Sequence, residues 1–327
     1  MARQPFFSVV MPAFNAEATI RRAVDSLASQ TYGDWELIIS DDCSTDATPE
    51  IIREMASVDP RIRIIRTPSN SGSACVPRRL AVMQARGKYI VELDSDDEIP
   101  SGYLRSLSER IGGTNADVVL AHVCFMENGT PVRSLPDETL SGYVGPGRRL
   151  FIHTLDGWRI PLLGAFSAEL YREAYMDADE PDSFNADEIT SRRILLKSRT
   201  TAFAGTGYIY HLHPDSITRS VTLRQLGFLN SNRELVQMTA ADFGIDSPEM
   251  RLAARQYFNG VADGLKMTRK LPEYERKTAL KLVSEAYRSP LFRQSRALIP
   301  SGTLKFASFF GLKTMLSIIT LHDKIKK

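Results

Sequence analysis

Asp94-Ser95-Asp96-Asp97-Glu98 places four carboxylates within five residues, directly after the apolar run Tyr89 to Leu93. Like charges at that density repel one another unless a cation neutralises them. Their hard oxygens suit Mg²⁺ or Mn²⁺, which bind through one or two carboxylates plus phosphate oxygens. An EF-hand is disfavoured, because Ile99 stands where the turn glycine should be and Arg105 where the bidentate glutamate should be. Taken alone, the segment also reads as a solvated acidic loop. Asp41-Asp42-Cys43-Ser44-Thr45-Asp46 offers acceptors suited to base N–H groups and ribose hydroxyls, although the same residues could simply form a turn before a helix. Pro12 to Glu17 makes a third polar cluster.

The elements between these clusters alternate. Ser8-Val9-Val10-Met11 reads as a short buried strand, stopped by Pro12, and an amphipathic helix over about 17–29 follows, with Ile20, Val24 and Leu27 at helical spacing. Leu37 to Ile39 is a second apolar strand. Thr48-Pro49-Glu50 is a helix start, with Thr48 expected as N-cap and Pro49 at the first helical position. Ile62 to Ile65, residues 74–86 and Tyr89 to Leu93 continue as strand, helix, strand. Such alternation predicts βαβ units and a parallel sheet covered on both faces, with ligands beyond the carboxyl ends of the strands. All three polar clusters fall at such ends.

No GxGxxG follows the first strand and no GxxxxGK[ST] occurs, so dehydrogenase and P-loop chemistries lose their main support. Phosphates here are expected to be held by a metal ion and not by a glycine-rich helix start. The net charge of +2 hides an asymmetry: residues 276–327 carry eleven Lys or Arg against two acids, a net of +9, which leaves −7 for the rest. Three widely spaced cysteines, Cys43, Cys75 and Cys124, make no disulfide framework and point to a reducing compartment. The N-terminal run meets Pro12 and Asn15 too soon for a secretory segment, and Phe306 to Leu321, broken by Lys313, is short for a membrane span. A cytoplasmic protein, peripheral on the inner face of the cell membrane through its tail, is the resulting expectation. Nucleic-acid binding is disfavoured, because the basic residues lack interleaved aromatics suited to stacking.

From about residue 6 to about 220 the chain resembles the inverting, nucleotide-sugar-dependent glycosyltransferases of family 2, which have the GT-A fold. Ser8 to Glu17 resembles the family's opening strand and nucleotide loop, and Ile39 to Asp46 its uracil- and ribose-contacting segment. Asn70-Ser-Gly72, Arg78 and Gly87 to Asp97 resemble the approach to its metal-binding DxD. Ala186-Asp187-Glu188 resembles the acid pair supplying the catalytic base, and Tyr210 to Thr218 the closing segment. The resemblance implies an α/β fold, a mainly parallel Rossmann-like sheet flanked by helices. It assigns Pro12, Ala13, Phe14, Glu17, Asp41, Asp42, Ser44, Arg78, Asp94 and Ser95 to the nucleotide-sugar donor, Asp96 and His213 to Mn²⁺ or Mg²⁺, and Asp187 to general base. Trp158, Asp97 and Glu188 fall on the acceptor side. Several positions depart from the family pattern: Cys43 replaces glycine, Pro77 replaces alanine, Arg79 takes an asparagine position, and Ala186 replaces glutamate.

After about 222, leucines at helical spacing punctuated by Pro248, Pro272, Pro290 and Pro300 predict successive helices. The expected organisation is a catalytic domain over 1–221, with its nucleotide half at about 1–100 and its acceptor half at about 101–221. A helical region over 222–327 would then meet an anionic membrane surface or a second copy of the chain. The function implied is transfer of a sugar, from a UDP-sugar, to a saccharide or lipid-linked acceptor in cell-surface polysaccharide synthesis. The alternatives are a sugar nucleotidyltransferase, disfavoured by the lack of a glycine-rich basic first loop, and a non-catalytic scaffold of the same fold, which Ala186 and Cys43 alone support.

Overall fold

The computed structural model describes residues 4–136, 140, 142–155, 162–178, 184–212 and 221–300, together with 302, 305, 308, 311, 312, 314 and 315. The chain packs as two units, one of residues 1–182 and 190–214, the other of 183–189 and 215–327.

The first unit opens with strand β1 (Phe7–Ala13), helix α1 (Ile20–Ala28), β2 (Trp35–Asp41), α2 (Thr48–Val58), β3 (Ile62–Arg66), α3 (Cys75–Gln84) and β4 (Tyr89–Glu92). It continues through α4 (Tyr103–Thr114), β5 (Val118–Glu127), β6 (Thr130–Leu135), β7 (Val144–Gly145), α5 (Gly147–His153), β8 (Gly164–Ser167), α6 (Ala168–Met176), α7 (Ala186–Lys197), whose residues 186–189 count with the second unit, and β9 (Thr201–His211). Among the described residues the strands form one sheet in the order β3-β2-β1-β4-β8-β5-β9-β7, with β6 paired to β5. The β3-β2-β1-β4 half is parallel, as the alternating pattern predicts. Beyond β4 the sheet is mixed: β8 enters antiparallel between β4 and β5, while β5 and β9 run parallel.

Every residue of β1 and β2 is buried, the pattern of strands covered on both faces. Phe7, Val9, Met11, Leu37, Ile39, Tyr89 and Val91 pack with Ile20, Val24 and Leu27 of α1, Ile52 and Met55 of α2, and Leu104 and Leu107 of α4. Helices α3 and α6 cover the other face, where Ala81 and Val82 are fully buried. Pro77 is accommodated in the first turn of α3, where its missing N–H is one of those without an intrahelical acceptor. The start of α2 differs from expectation. The helix begins at Thr48 itself, and the Asp46 carboxylate accepts the Thr48 N–H at 3.0 Å, because the Thr48 hydroxyl is taken by the Ala16 N–H at 2.7 Å. Residues 208–210 lie in β9 between β5 and an isolated antiparallel bridge from Glu98 to Ile209.

At the amino ends of the strands, Glu36 is buried and accepts from the Ser8 hydroxyl at 2.7 Å, from the Arg86 backbone and guanidinium at 2.7 and 2.9 Å, and from Arg63 at 3.1 Å. Gly87 packs so closely that a Cβ there would meet the Ser8 nitrogen at 2.5 Å. Burial alone would raise the Glu36 pKa, but the hydrogen bonds from Arg86, Ser8 and Arg63 together hold it below the usual carboxylate range. A depressed carboxyl stabilises the fold above its unfolded pKa, and that stabilisation is lost as pH falls through the folded value. Glu36→Gln is therefore expected to destabilise the protein at pH 7 by about 3–5 kcal/mol, the cost of breaking a buried pair. Urea unfolding of both proteins should show the gap narrowing as pH falls below 4; a gap independent of pH would refute the assignment.

The second unit is helical. A 3₁₀ turn (Leu223–Gly227) leads into α8 (Phe228–Phe243), α9 (Pro248–Thr268), α10 (Glu273–Arg288) and α11 (Pro290–Leu298). Ser247 and Ser289 accept from Met250 and Phe292 backbone N–H groups as N-caps, with Pro248 and Pro290 directly after them. Tyr257 and Phe258 of α9 pack on Phe292, Phe258 stacked at 5.6 Å and 10°. No helix among the described residues is long and apolar enough to cross a membrane. Of the basic segment 276–327, residues 301, 303–304, 306–307, 309–310, 313 and 316–327 lie outside the described residues.

Candidate functional site

Because β2 and β4 flank β1 in parallel, their carboxyl ends open on one side of the sheet. Asp41 is in register with Ala13, and Glu92 with Val10, so Asp94 follows close to where β1 ends. The loops after β1 and β2 are laced together. Asn15, at φ 48°, donates its N–H to the Ser44 hydroxyl at 3.0 Å and accepts from Thr45 N–H at 2.9 Å. The Glu17 N–H reaches Asp46 at 3.1 Å, and the Glu17 carboxylate accepts from Ala47 N–H at 2.9 Å. Asp46 is held below the usual carboxylate range: partial burial pushes it up, and the Thr48 and Glu17 donors outweigh that. Pro12 and Ala13 are buried in β1, whereas Phe14 is 45% exposed on the loop.

The sequence places Asp41 and Asp42 as acceptors for a nucleoside, and the structure shows both engaged with protein. Asp41 accepts from Ser44 N–H at 3.0 Å and pairs with Arg66 at 3.3 Å. Asp42 accepts from the Thr67 hydroxyl at 2.9 Å and from the Ser71 N–H and hydroxyl at 2.9 and 2.8 Å, which anchors the loop after β3. Cys43, standing where the resembled family has glycine, adopts φ 65°. The left-handed turn is thus kept, at a cost of about 1–2 kcal/mol for a side chain there. Arg66 braces it, donating to the Ser44 carbonyl at 3.3 Å and lying 3.7 Å from Cys43 Sγ.

The acidic run after β4 divides by partner. Asp97 is buried, with the Tyr208 hydroxyl donating to one carboxylate oxygen and the His211 N–H to the other, each at 2.8 Å. Burial, then the charges of Asp94 and Asp96, push its pKa well up. Tyr208 also accepts the Asp94 N–H at 3.1 Å, so β9 staples the loop from beneath. Asp97, expected toward the acceptor, thus serves as a brace. Glu98 is taken by His211 at 2.8 Å and Arg22 at 3.2 Å. Asp94, Ser95 and Asp96 remain partly exposed at the rim. Asp94 accepts from the buried Arg78 at 2.8 Å, and Arg22 holds the Asp96 carbonyl at 2.6 Å.

Two partly exposed carboxylates beside a loop that can face phosphates fit Mg²⁺ or Mn²⁺, which take one or two carboxylates and complete their shell elsewhere. Among the described residues no three His, Cys, Asp or Glu side chains gather into a fuller metal cage. His213 and Trp158 lie outside the described residues. Asp187 and Glu188 belong to the second unit, in the first turn of α7, where the Asp187 carboxylate accepts the Glu188 N–H at 2.9 Å; Ala186 beside them is buried.

Sequence reasoning missed Glu92, Tyr171 and Tyr208. Glu92 could have been found, since a lone acid inside the apolar run Tyr89 to Leu93 requires a buried partner. The two tyrosines carry no local signal.

The family model for glycosyl transferase family 2 matches residues 8–168. WcaA of Escherichia coli (strain K12), named as a glycosyl transferase of colanic acid biosynthesis, is 43% identical over 248 aligned residues, covering 69% of this chain and 88% of WcaA. TuaG of Bacillus subtilis (strain 168), named as a glycosyltransferase of teichuronic acid biosynthesis, is 29% identical over 206 residues, 61% of this chain and 75% of TuaG. The crystal structure of Staphylococcus aureus TarS 1-349 in complex with UDP-GlcNAc superposes with a TM-score of 0.69 at 20% identity, covering 95% of this chain and 88% of that one. That likeness establishes the GT-A fold.

Proposed function

The chain belongs to glycosyltransferase family 2, and from that membership we propose that it moves a sugar from a UDP-sugar to a saccharide or lipid-linked acceptor, inverting the anomeric carbon, in synthesis of a cell-surface polysaccharide. The observation carrying the donor half is the convergence of three polar loops, 13–17, 41–46 and 94–96, at the carboxyl ends of three adjacent parallel strands. A UDP-sugar is favoured because TarS, of the same fold, was solved with UDP-GlcNAc. A surface polysaccharide is favoured because WcaA and TuaG are named for such pathways.

In this reading the laced loops after β1 and β2 receive the nucleoside, with exposed Phe14 at the mouth. Asp94 and Asp96, joined by His213 of the closing segment, would hold Mn²⁺ or Mg²⁺. When bound, the ion supplies Lewis-acid neutralisation of the charge left on the departing nucleoside diphosphate. Asp187 takes the proton from the acceptor hydroxyl as it attacks. Trp158 and Glu188 are left to orient the acceptor. Incubation with a panel of nucleotide sugars and Mn²⁺ or Mg²⁺, with and without chelator, tests this through release of nucleoside diphosphate. Chelator-sensitive hydrolysis of one UDP-sugar is expected. Formation of a nucleotide sugar with release of pyrophosphate, from an added sugar 1-phosphate and nucleoside triphosphate, would replace the reading with nucleotidyl transfer.

A further inference from the structure

Glu92 takes no part in the chemistry proposed above, yet it is 5% exposed and lies two residues before Asp94. On β4 it faces away from the side that Tyr89 and Val91 bury, toward α3 and α6. The hydroxyl of Tyr171, fully buried in α6, donates to Glu92 Oε1. Glu92 Oε2 lies 3.0 Å from Arg78 Nε, and Arg78 Nη2 donates to Asp94 Oδ1 at 2.8 Å. Four side chains, Tyr171, Glu92, Arg78 and Asp94, thus form one continuous chain from the core to the rim. Arg78 is 3% exposed, so its guanidinium persists there only because its charge is paired. The guanidinium is planar and rigid, so the ion pair on its Nε side also constrains where its terminal nitrogens point.

We propose that Glu92, held by Tyr171, is a positioning residue: it sets the plane of Arg78, and Arg78 in turn sets the Asp94 carboxylate before donor or cation arrives. Without the Glu92 charge, the buried Arg78 would pull harder on Asp94 and draw that carboxylate away from the rim. The sugar-binding and acceptor steps play no part in this. The inference does rest on Asp94 facing the cation and diphosphate, as proposed above.

Calorimetric titration of UDP at fixed Mn²⁺ into the full chain tests it, with wild type, Glu92→Gln, Tyr171→Phe, Asp94→Asn and the Glu92→Gln/Asp94→Asn double variant. Partners that orient a metal ligand typically contribute 10–100-fold in affinity. Glu92→Gln is expected to weaken binding by about that factor, Tyr171→Phe in the same direction but less, and Glu92→Gln to add nothing once Asp94 is already Asn. A merely structural role would instead lower binding by the same factor in both backgrounds, and that result overturns the proposal. Wild-type affinity in both Glu92→Gln and Tyr171→Phe overturns it too. If Glu92→Gln fails to fold, Tyr171→Phe, which loses one hydroxyl, decides alone. A wild-type chain that binds no UDP with Mn²⁺ overturns the donor reading itself, which separates that failure from the failure of the positioning.

Discussion

Asp187→Asn is expected to lower sugar transfer by about 10²–10⁴-fold, the usual contribution of a positioned general base, while leaving UDP affinity unchanged. The substitution isolates proton acceptance because of where Asp187 sits. Its carboxylate oxygen accepts the Glu188 N–H at 2.9 Å in the first turn of α7, and the amide oxygen of Asn can accept the same hydrogen bond. Helix and fold are therefore kept, and the side chain loses its capacity to take a proton. Two measurements are needed, initial rates of transfer to an added acceptor and a UDP titration. Loss of rate with intact binding supports the assignment, and a near-full rate sinks it and moves the role to Glu188.

What sequence could and could not reveal follows from the range of the forces involved. The strands β1, β2 and β4 are legible because burial on both faces demands the largely apolar runs Ser8 to Met11, Leu37 to Ile39 and Tyr89 to Leu93. Their parallel order follows from the helices between them. The antiparallel insertion of β8 between β4 and β5 is not legible, since β8 pairs with β4 across more than seventy residues and with β5 across more than forty. The site divides in the same way. Residue type and strand-end position identify Asp41, Asp42 and Asp94 to Asp97 as a rim. Which carboxylates brace and which face outward is decided by distant donors: Thr67 and Ser71 for Asp42, Tyr208 and His211 for Asp97. Cys43 shows the reverse case. Its replacement of glycine suggests an altered turn, yet the backbone holds the glycine-like φ of 65°, because Arg66 and the lacing from Asn15 constrain both ends of the turn.

The second large effect is expected at Asp96. Asp96→Asn should reduce Mn²⁺- or Mg²⁺-dependent transfer by about 10²-fold or more, since charge stabilisation by a bound ion is worth several kcal/mol and each 1.36 kcal/mol is tenfold in rate. The loop itself should survive the change. Arg22 grips the Asp96 backbone carbonyl at 2.6 Å, the Asp97 N–H closes a turn onto the Asp94 carbonyl at 3.2 Å, and Asp97 is stapled to β9. None of these contacts uses the Asp96 carboxylate. The melting temperature should therefore move little, or rise, because one of the crowded negative charges is removed. Asp97→Asn should behave oppositely: it puts an amide where two donors converge on two acceptor oxygens, so stability falls together with activity. Transfer rates across a metal titration, read beside thermal unfolding of both variants, separate the two residues. An Asp96→Asn enzyme with wild-type rate and unchanged metal dependence would remove Asp96 from the cation and move that role to Asp94.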